Sequence, residues 1–341
     1  MTDTYVPIAT HPAAPAPPRA ARPMLARVAD TLYWMSRYIE RAEHIARTLA
    51  VNAELLTDIG DMAPHFRQRL WHSILLLTDL DAPAPTADGP DLDRSVSLRM
   101  TLDPENPNSI VSCVTKAREN ARSIRENISA EMWEALNSLH WSLQAEDVAA
   151  RFEDSPAEIF RLAIDGSMLF QGLTEQTMPH AQPWLFAQLG KHLERVDMTG
   201  RILETRYEIL RTVDASLEAP LRTIHWMAVL RACGSLEAYR RMHLADFDPT
   251  QVAAFILFEP AFPRALRFSV QHALAAAQRI AELTNPPAAH APDRILGRLN
   301  ADLEFTDASA LRGPGLTDFL LSVRRSVAQA HLAIQKTYFL T

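Results

Sequence analysis

Two stretches of this sequence carry charge in the same order. Arg37, Glu40, Arg41, Glu43 and Arg47 read basic–x–apolar–Glu–Arg–x–acid–x–x–x–Arg, and Lys191, Glu194, Arg195, Asp197 and Arg201 repeat the pattern 154 residues later. On a helix, residues three and four apart are neighbours. Glu40, Glu43 and Arg47 therefore share one arc with Arg37 and His44, while Arg41 lies at its border. Two uses are open for such stripes. Each can be a solvated row of ion pairs, contributing about 0.2–0.5 kcal/mol per pair. Alternatively the two stripes face one another and bury a Glu/Arg cluster, which is expensive unless every charge is paired and marks a binding or proton-transfer site. In a catalytic version, Glu40 or Glu194 is a general base whose pKa burial raises. Arg41 or Arg195 then stabilises a developing oxyanion, as in an amide or peptide transferase or hydrolase.

Other chemistries find no support in the spacing. No G-x-G-x-x-G or G-x-x-x-x-G-K-[ST] occurs, so the common nucleotide loops are missing. A di-iron carboxylate site wants Glu-x-x-His on two helices, and a zinc protease wants His-Glu-x-x-His; the chain has neither. No metal and no cofactor is expected. Gly166-Ser167 and Gly234-Ser235 lack the pattern of a nucleophile elbow. Cys113 and Cys233 are too few for a disulfide framework and suit a reducing compartment, so a cytoplasmic location is expected.

The elements that position the stripes read as helices almost throughout. The chain has 341 residues, 48% hydrophobic and 22% charged, with only 10 glycines. Scarce glycine disfavours hairpin-dense sheets. Helices are expected near 25–57, 64–80, 91–101, 108–128, 130–147, 156–175, 183–216, 220–243, 249–258, 263–284, 291–303 and 315–339. Ser155-Pro156-Ala157-Glu158 reads as a capping box with proline at the first helical position, and Asp248-Pro249 as another N-cap. Residues 95–102 alternate polar and apolar, but no partner strand is evident, and a helix is preferred. Loops are expected at 81–91 and 285–292. Residues 1–23 hold six prolines and six alanines and read as a disordered tail. The fold class is all-α: a multi-helix bundle of long antiparallel helices, with two related half-bundles suggested by the repeated stripe. A net charge of −7 argues against nucleic acid as partner. No apolar run reaches the roughly 18 residues of a membrane span. Wide apolar helix faces leave a homo-oligomer open.

The stretch MLARVADTLYWMSRYIERAEHIARTLAVN (24–52) resembles the opening of the bacterial alpha-E domain family. FQGLTEQTM (170–178), WLFAQLGKHLERVDMTGRIL (184–203), NPNSI (106–110), KARENARSIRENIS (116–129), LRACGSLEAYRRM (230–242) and FPRAL (262–266) extend the likeness. It covers 24–341 as one helical domain and departs at His180-Ala181-Gln182-Pro183-Trp184, where the family often has Arg-Asp before Gly-Trp. The resemblance implies an all-helical protein whose genes lie beside an ATP-grasp-like ligase and a transglutaminase-like protein. That company implies peptide or amide synthesis or modification, with a peptide or amino acid as substrate. Carried across, the binding residues are Arg37, Glu40, Arg41, Glu43, Arg47, Glu175, Glu194, Arg195, Asp197, Arg201, Arg231, Tyr239 and Arg240. Three roles remain open on these residues: an accessory or substrate-binding subunit, a stand-alone enzyme, and a structural scaffold.

Overall fold

A computed structural model describes residues 24–59, 64–78, 82, 85, 89–212, 219–243, 247–284 and 291–340. The expected tail at 1–23 lies outside these residues. So do most of the two expected loops and the ends of the helices expected at 64–80 and 183–216. Fourteen α-helices and no strand occur among the described residues. They are α1 (Ala26–Ile59), α2 (Pro64–Leu75), α3 (Gly89–Thr101), α4 (Ile110–Ser123), α5 (Ala130–Leu143), α6 (Val148–Asp154) and α7 (Pro156–Thr177). The second half runs α8 (Gln182–Thr212), α9 (Ala219–Ala232), α10 (Leu236–Met242), α11 (Pro249–Phe258), α12 (Leu266–Thr284), α13 (Ala291–Phe305) and α14 (Gly315–Ile334).

Local chemistry explains most boundaries. Asp248 caps α11 by accepting from the Thr250 and Gln251 amides at 2.9 and 3.0 Å, ahead of Pro249. Ser109 and Ser129 cap α4 and α5 in the same way. Ser155 precedes Pro156 at the start of α7, but its side chain makes no capping bond. The capping box is not formed there, and the Glu158 side chain accepts from the Arg151 guanidinium. The helix expected over 220–243 is broken at Gly234, which has φ +64°, a left-handed conformation that glycine adopts without strain. Residues 148–154 form a short helix that the spacing did not announce. Residues 95–102 are helical, within α3 and the turn after it.

The two halves repeat one another. Shifted by the 154 residues that separate Glu40 from Glu194, α1 falls on α8, α2 on α9, α4 on α12 and α7 on α14, and α3 and α5 overlap α11 and α13. Packing repeats too. α1 lies against α4 and α7, as α8 lies against α12 and α14; α5 bridges α4 and α7, as α13 bridges α12 and α14. Each half also lends its second helix to the other, α9 to α1 and α2 to α8. The joint between halves is the pair α1/α8. α8 runs antiparallel to α12, but α1 and α8 run in the same direction. Arg37 meets Glu194, Arg195 meets Glu40, His44 meets Thr199, and Arg206 meets Asn52. Six intervening helices bring the chain back to its starting end, so no short loop forces antiparallel packing. Gly190 lets the backbones touch, for a Cβ there would lie 2.2 Å from the Tyr33 carbonyl oxygen.

Candidate functional site

The charged stripes meet at that joint. The apolar side of α1, including Leu32, Met35, Ile39, Ile45 and Leu49, is buried, and the charged side is buried as well. Glu40 and Glu194 are both 0% exposed. Arg195 donates Nε and Nη2 to Glu40 at 2.6 and 2.9 Å. Arg37 and Arg41 each donate Nε to Glu194 at 2.6 Å. The Glu-Arg of one half thus grips the Arg-Glu of the other. Second contacts repeat as well: Arg41 Nη1 reaches Asn108 Oδ1 at 2.7 Å, and Arg195 Nη1 reaches the Pro263 carbonyl at 3.2 Å. Both acceptors sit just before the helix, α4 or α12, that packs on that arginine's half.

Around this core lie residues that the repeat does not predict. Glu43 accepts from Arg47 at 2.8 Å, from Ser167 at 3.2 Å, and from Arg264. Gln171 donates to Glu40 at 3.2 Å. Arg37 also donates to the Tyr33 hydroxyl at 3.0 Å, lies 3.1 Å from His331 Nδ1, and stacks over Trp34. His44 sits with Nδ1 3.0 Å from the Glu40 carbonyl and Nε2 3.3 Å from Thr199 Oγ1. The bond to a carbonyl assigns the proton to Nδ1. Arg264 had no signal in the repeat, since its counterpart in the first half is Ile110; it lies instead in the FPRAL stretch that carries the family resemblance. Ser167 and Gln171 come from α7, whose polar residues carry no distinctive spacing.

The electrostatics do not fit a general base. Burial alone would raise both carboxyls. Arg195 and Arg264 outweigh it at Glu40, which is held well below the usual carboxylate range. Arg41 and Arg37 do the same at Glu194, held at about 2. Both carboxylates are ionised at neutral pH with both oxygens engaged. The raised pKa expected of a base is therefore not found. Burial pushes His44 down to about 4 despite Glu40, so its imidazole is neutral. Five guanidiniums (Arg37, Arg41, Arg47, Arg195, Arg264) meet three carboxylates here. Lys191, the counterpart of Arg37, makes no hydrogen bond or ion pair among the described residues. Burial, with help from Arg195, pushes its amine down to about 8.

The other expected site residues lie outside this cluster. Asp197 and Arg201 pair with each other at 3.1 Å on a partly open face of α8. Glu175 is exposed near the α7–α8 turn and accepts from Gln188 at 3.3 Å. Arg231 pairs with Glu54, and Arg240 with Glu237, at the surface. Tyr239 is buried among His243, Phe247 and Phe255. Cys113 and Cys233 are free and buried, and burial pushes their thiols up to about 11 and about 12. Among the described residues no His/Cys/Asp/Glu group could hold a metal ion, and no helix is long and apolar enough to cross a membrane.

A family model described as "a predicted alpha-helical domain with a conserved ER motif" matches residues 24–339. The two Glu-Arg dipeptides of this chain are Glu40-Arg41 and Glu194-Arg195. Uncharacterized proteins of Mycobacterium bovis and of two Mycobacterium tuberculosis strains are each 25% identical to it over 329 residues, covering 88% of this chain and 35% of theirs. The chain spans about a third of the length of the curated relatives it matches. No solved structure matches it.

Proposed function

The chain belongs to the Alpha-E family, and from that premise and the buried cluster we propose that it is a helical accessory or substrate-binding component of a cytoplasmic peptide- or amide-modifying system. Its partners in this reading are an ATP-grasp-like ligase, which supplies the nucleotide chemistry that the helical chain lacks motifs for, and a transglutaminase-like protein. One observation carries the reading: each motif glutamate is buried, ionised and gripped by arginines of the motifs. A carboxylate so held is a poor proton acceptor. It is well suited to fixing the register of two half-bundles. The Glu/Arg motifs then build a rigid frame, and recognition falls to its outer faces. Matching about a third of longer relatives accords with a module that works beside other parts.

Affinity purification from the native cell, with mass spectrometry of what co-elutes, tests this. The wild-type chain is expected to bring down an ATP-grasp-like protein. Absence of any ligase from the eluate, together with amide or peptide turnover by the purified chain alone, would overturn the proposal in favour of a stand-alone enzyme.

A further inference from the structure

The repeated architecture supplies an internal control, because each cavity can be compared with the equivalent place in the other half. A cavity of about 410 Å³ lies where α2 of the first half packs on α8, with α14 closing one side. That is within the roughly 300–1,000 Å³ of small-molecule sites. Its wall includes Ser73 from α2, Glu204, Thr205 and Ile209 from α8, and Arg201 and Arg324. Shifted by 154 residues, Ser73, Glu204 and Thr205 fall on Met227, Ala50 and Val51. There, where α9 packs on α1, Val51 is buried and Ala50 and Met227 pack against the core. At these three positions the joint carries apolar side chains in one half and polar ones in the other. A large thioether has become a hydroxyl, and a methyl has become a carboxylate.

The polar groups of the α2/α8 joint keep bonding capacity. Among the described residues Arg201 uses only Nε, on Asp197 at 3.1 Å. Among the same residues Arg324 uses only Nη1, shared between the two Glu204 oxygens at 3.2 and 3.4 Å. Thr205 donates to the Arg201 carbonyl and can still accept. Burial holds the Glu204 carboxyl above its ordinary value against Arg324 and Arg201, so its charge is under-compensated. A simple anion would meet Glu204, and a simple cation would meet Arg201 and Arg324.

We infer that this cavity binds a small zwitterion with an apolar body, an amino acid or dipeptide, its carboxylate held by Arg201 and Arg324 and its ammonium by Glu204. Leu76 and Ile209 furnish the apolar wall. Charge-assisted hydrogen bonds of this kind are the strong ones, and the guanidinium fork fits a carboxylate. As a substrate site the cavity rests on the accessory role proposed above; its existence rests on the geometry alone.

Calorimetric titration of the purified chain tests the inference, with leucine, leucyl-leucine, N-acetyl-leucyl-leucine and inorganic phosphate as probes. Leucine or leucyl-leucine is expected to bind saturably. N-acetylation, Arg324→Gln and Glu204→Gln should each weaken binding at least tenfold, and the last should erase the preference for the free amine. The double variant Ser73→Met/Thr205→Val installs the apolar side chains of the α1/α9 joint. It should abolish binding while keeping the melting temperature at or above wild type, which separates loss of the site from loss of the fold. No binding of either free-amine probe by folded wild type at millimolar concentration overturns the inference. So does binding that these variants leave unchanged, or tighter binding of phosphate. Failure here with a ligase still co-eluting removes the cavity and leaves the accessory role standing. Binding here without a ligase does the reverse.

Discussion

Changing Glu40 to glutamine alters one atom and nearly no volume, so it isolates the charge. In wild type the carboxylate is wholly buried and takes two bonds from Arg195, at 2.6 and 2.9 Å, and one from Gln171 at 3.2 Å. Arg264 stands 3.8 Å away. A pair of unit charges about 4 Å apart interacts by about 4 kcal/mol at an effective dielectric near 20. Breaking one partner of a buried pair costs about 3–5 kcal/mol, because the other charge stays buried. Here the arginines already outnumber the carboxylates, so Glu40→Gln should fall in that range. It would consume a large part of the roughly 5–15 kcal/mol that a folded protein has in hand. Urea unfolding followed by helical circular dichroism reads the loss, since urea adds no ions to compete with the pairs. Removing both partners, as Glu40→Met with Arg195→Met, should recover at least half of it, because two apolar side chains leave no orphaned charge. Glu153→Gln is the control. It breaks the exposed pair with Arg94, and the unfolding midpoint should not move. A Glu40→Gln loss below about 1 kcal/mol, with no coupling to Arg195, would refute the claim that the cluster joins the halves.

Other consequences can be measured directly. Gly190→Ala places a methyl against the Tyr33 carbonyl and should cost at least the roughly 1–3 kcal/mol of an overpacked core; an unchanged melting temperature would contradict the close approach of α1 and α8. The lowered pKa of Glu194, about 2 against an ordinary 4.5, gives stability that is full above pH 4.5 and lost as pH falls toward 2. Neutral His44, at about 4 against 6.5, adds a loss that begins below pH 6.5, because the unfolded chain takes up that proton first. Unfolding free energy measured from pH 7 to 3 should fall throughout, and a flat profile would exclude both. The Lys191 amine, pushed down to about 8, should acylate at pH 8 with a larger neutral fraction than an ordinary lysine of pKa about 10.4. Mass spectrometry of the labelled chain at several pH values checks this. A Lys191 labelling profile like that of an ordinary lysine would show the amine to be unperturbed.

Much of the frame was legible because helices announce themselves locally. Asp248-Pro249 placed the start of α11, and the period of α1 placed its apolar side. The charge order around Glu40 and Glu194 pointed to two related halves. What could not be read was direction and depth. Nothing in a repeat says whether its copies lie parallel or antiparallel, since that depends on the six helices between them. Nor does periodicity say whether a charged stripe faces water or another stripe; α1 is buried on both sides because α8, α7 and the turn ahead of α12 all pack on it. Arg264 shows a further limit: it enters from the turn ahead of α12, where no helical period applies, to reach Glu43. Gly234 could have been read as a break within 220–243, but glycine inside an otherwise helical pattern is often tolerated.

The parallel pairing of α1 with α8 has a consequence during synthesis. The first helix waits for a mate that lies about 150 residues downstream, which at roughly 5–20 residues per second is on the order of 10–30 s. An oily strip left bare for that long on a nascent chain invites clumping with its neighbours on the same message. The strip that α1 holds ready is instead Arg37, Glu40, Arg41, Glu43 and Arg47, which water solvates well until Glu194 and Arg195 arrive. Charges that are costly in the finished core are cheap on the unfinished polypeptide, where water still solvates them.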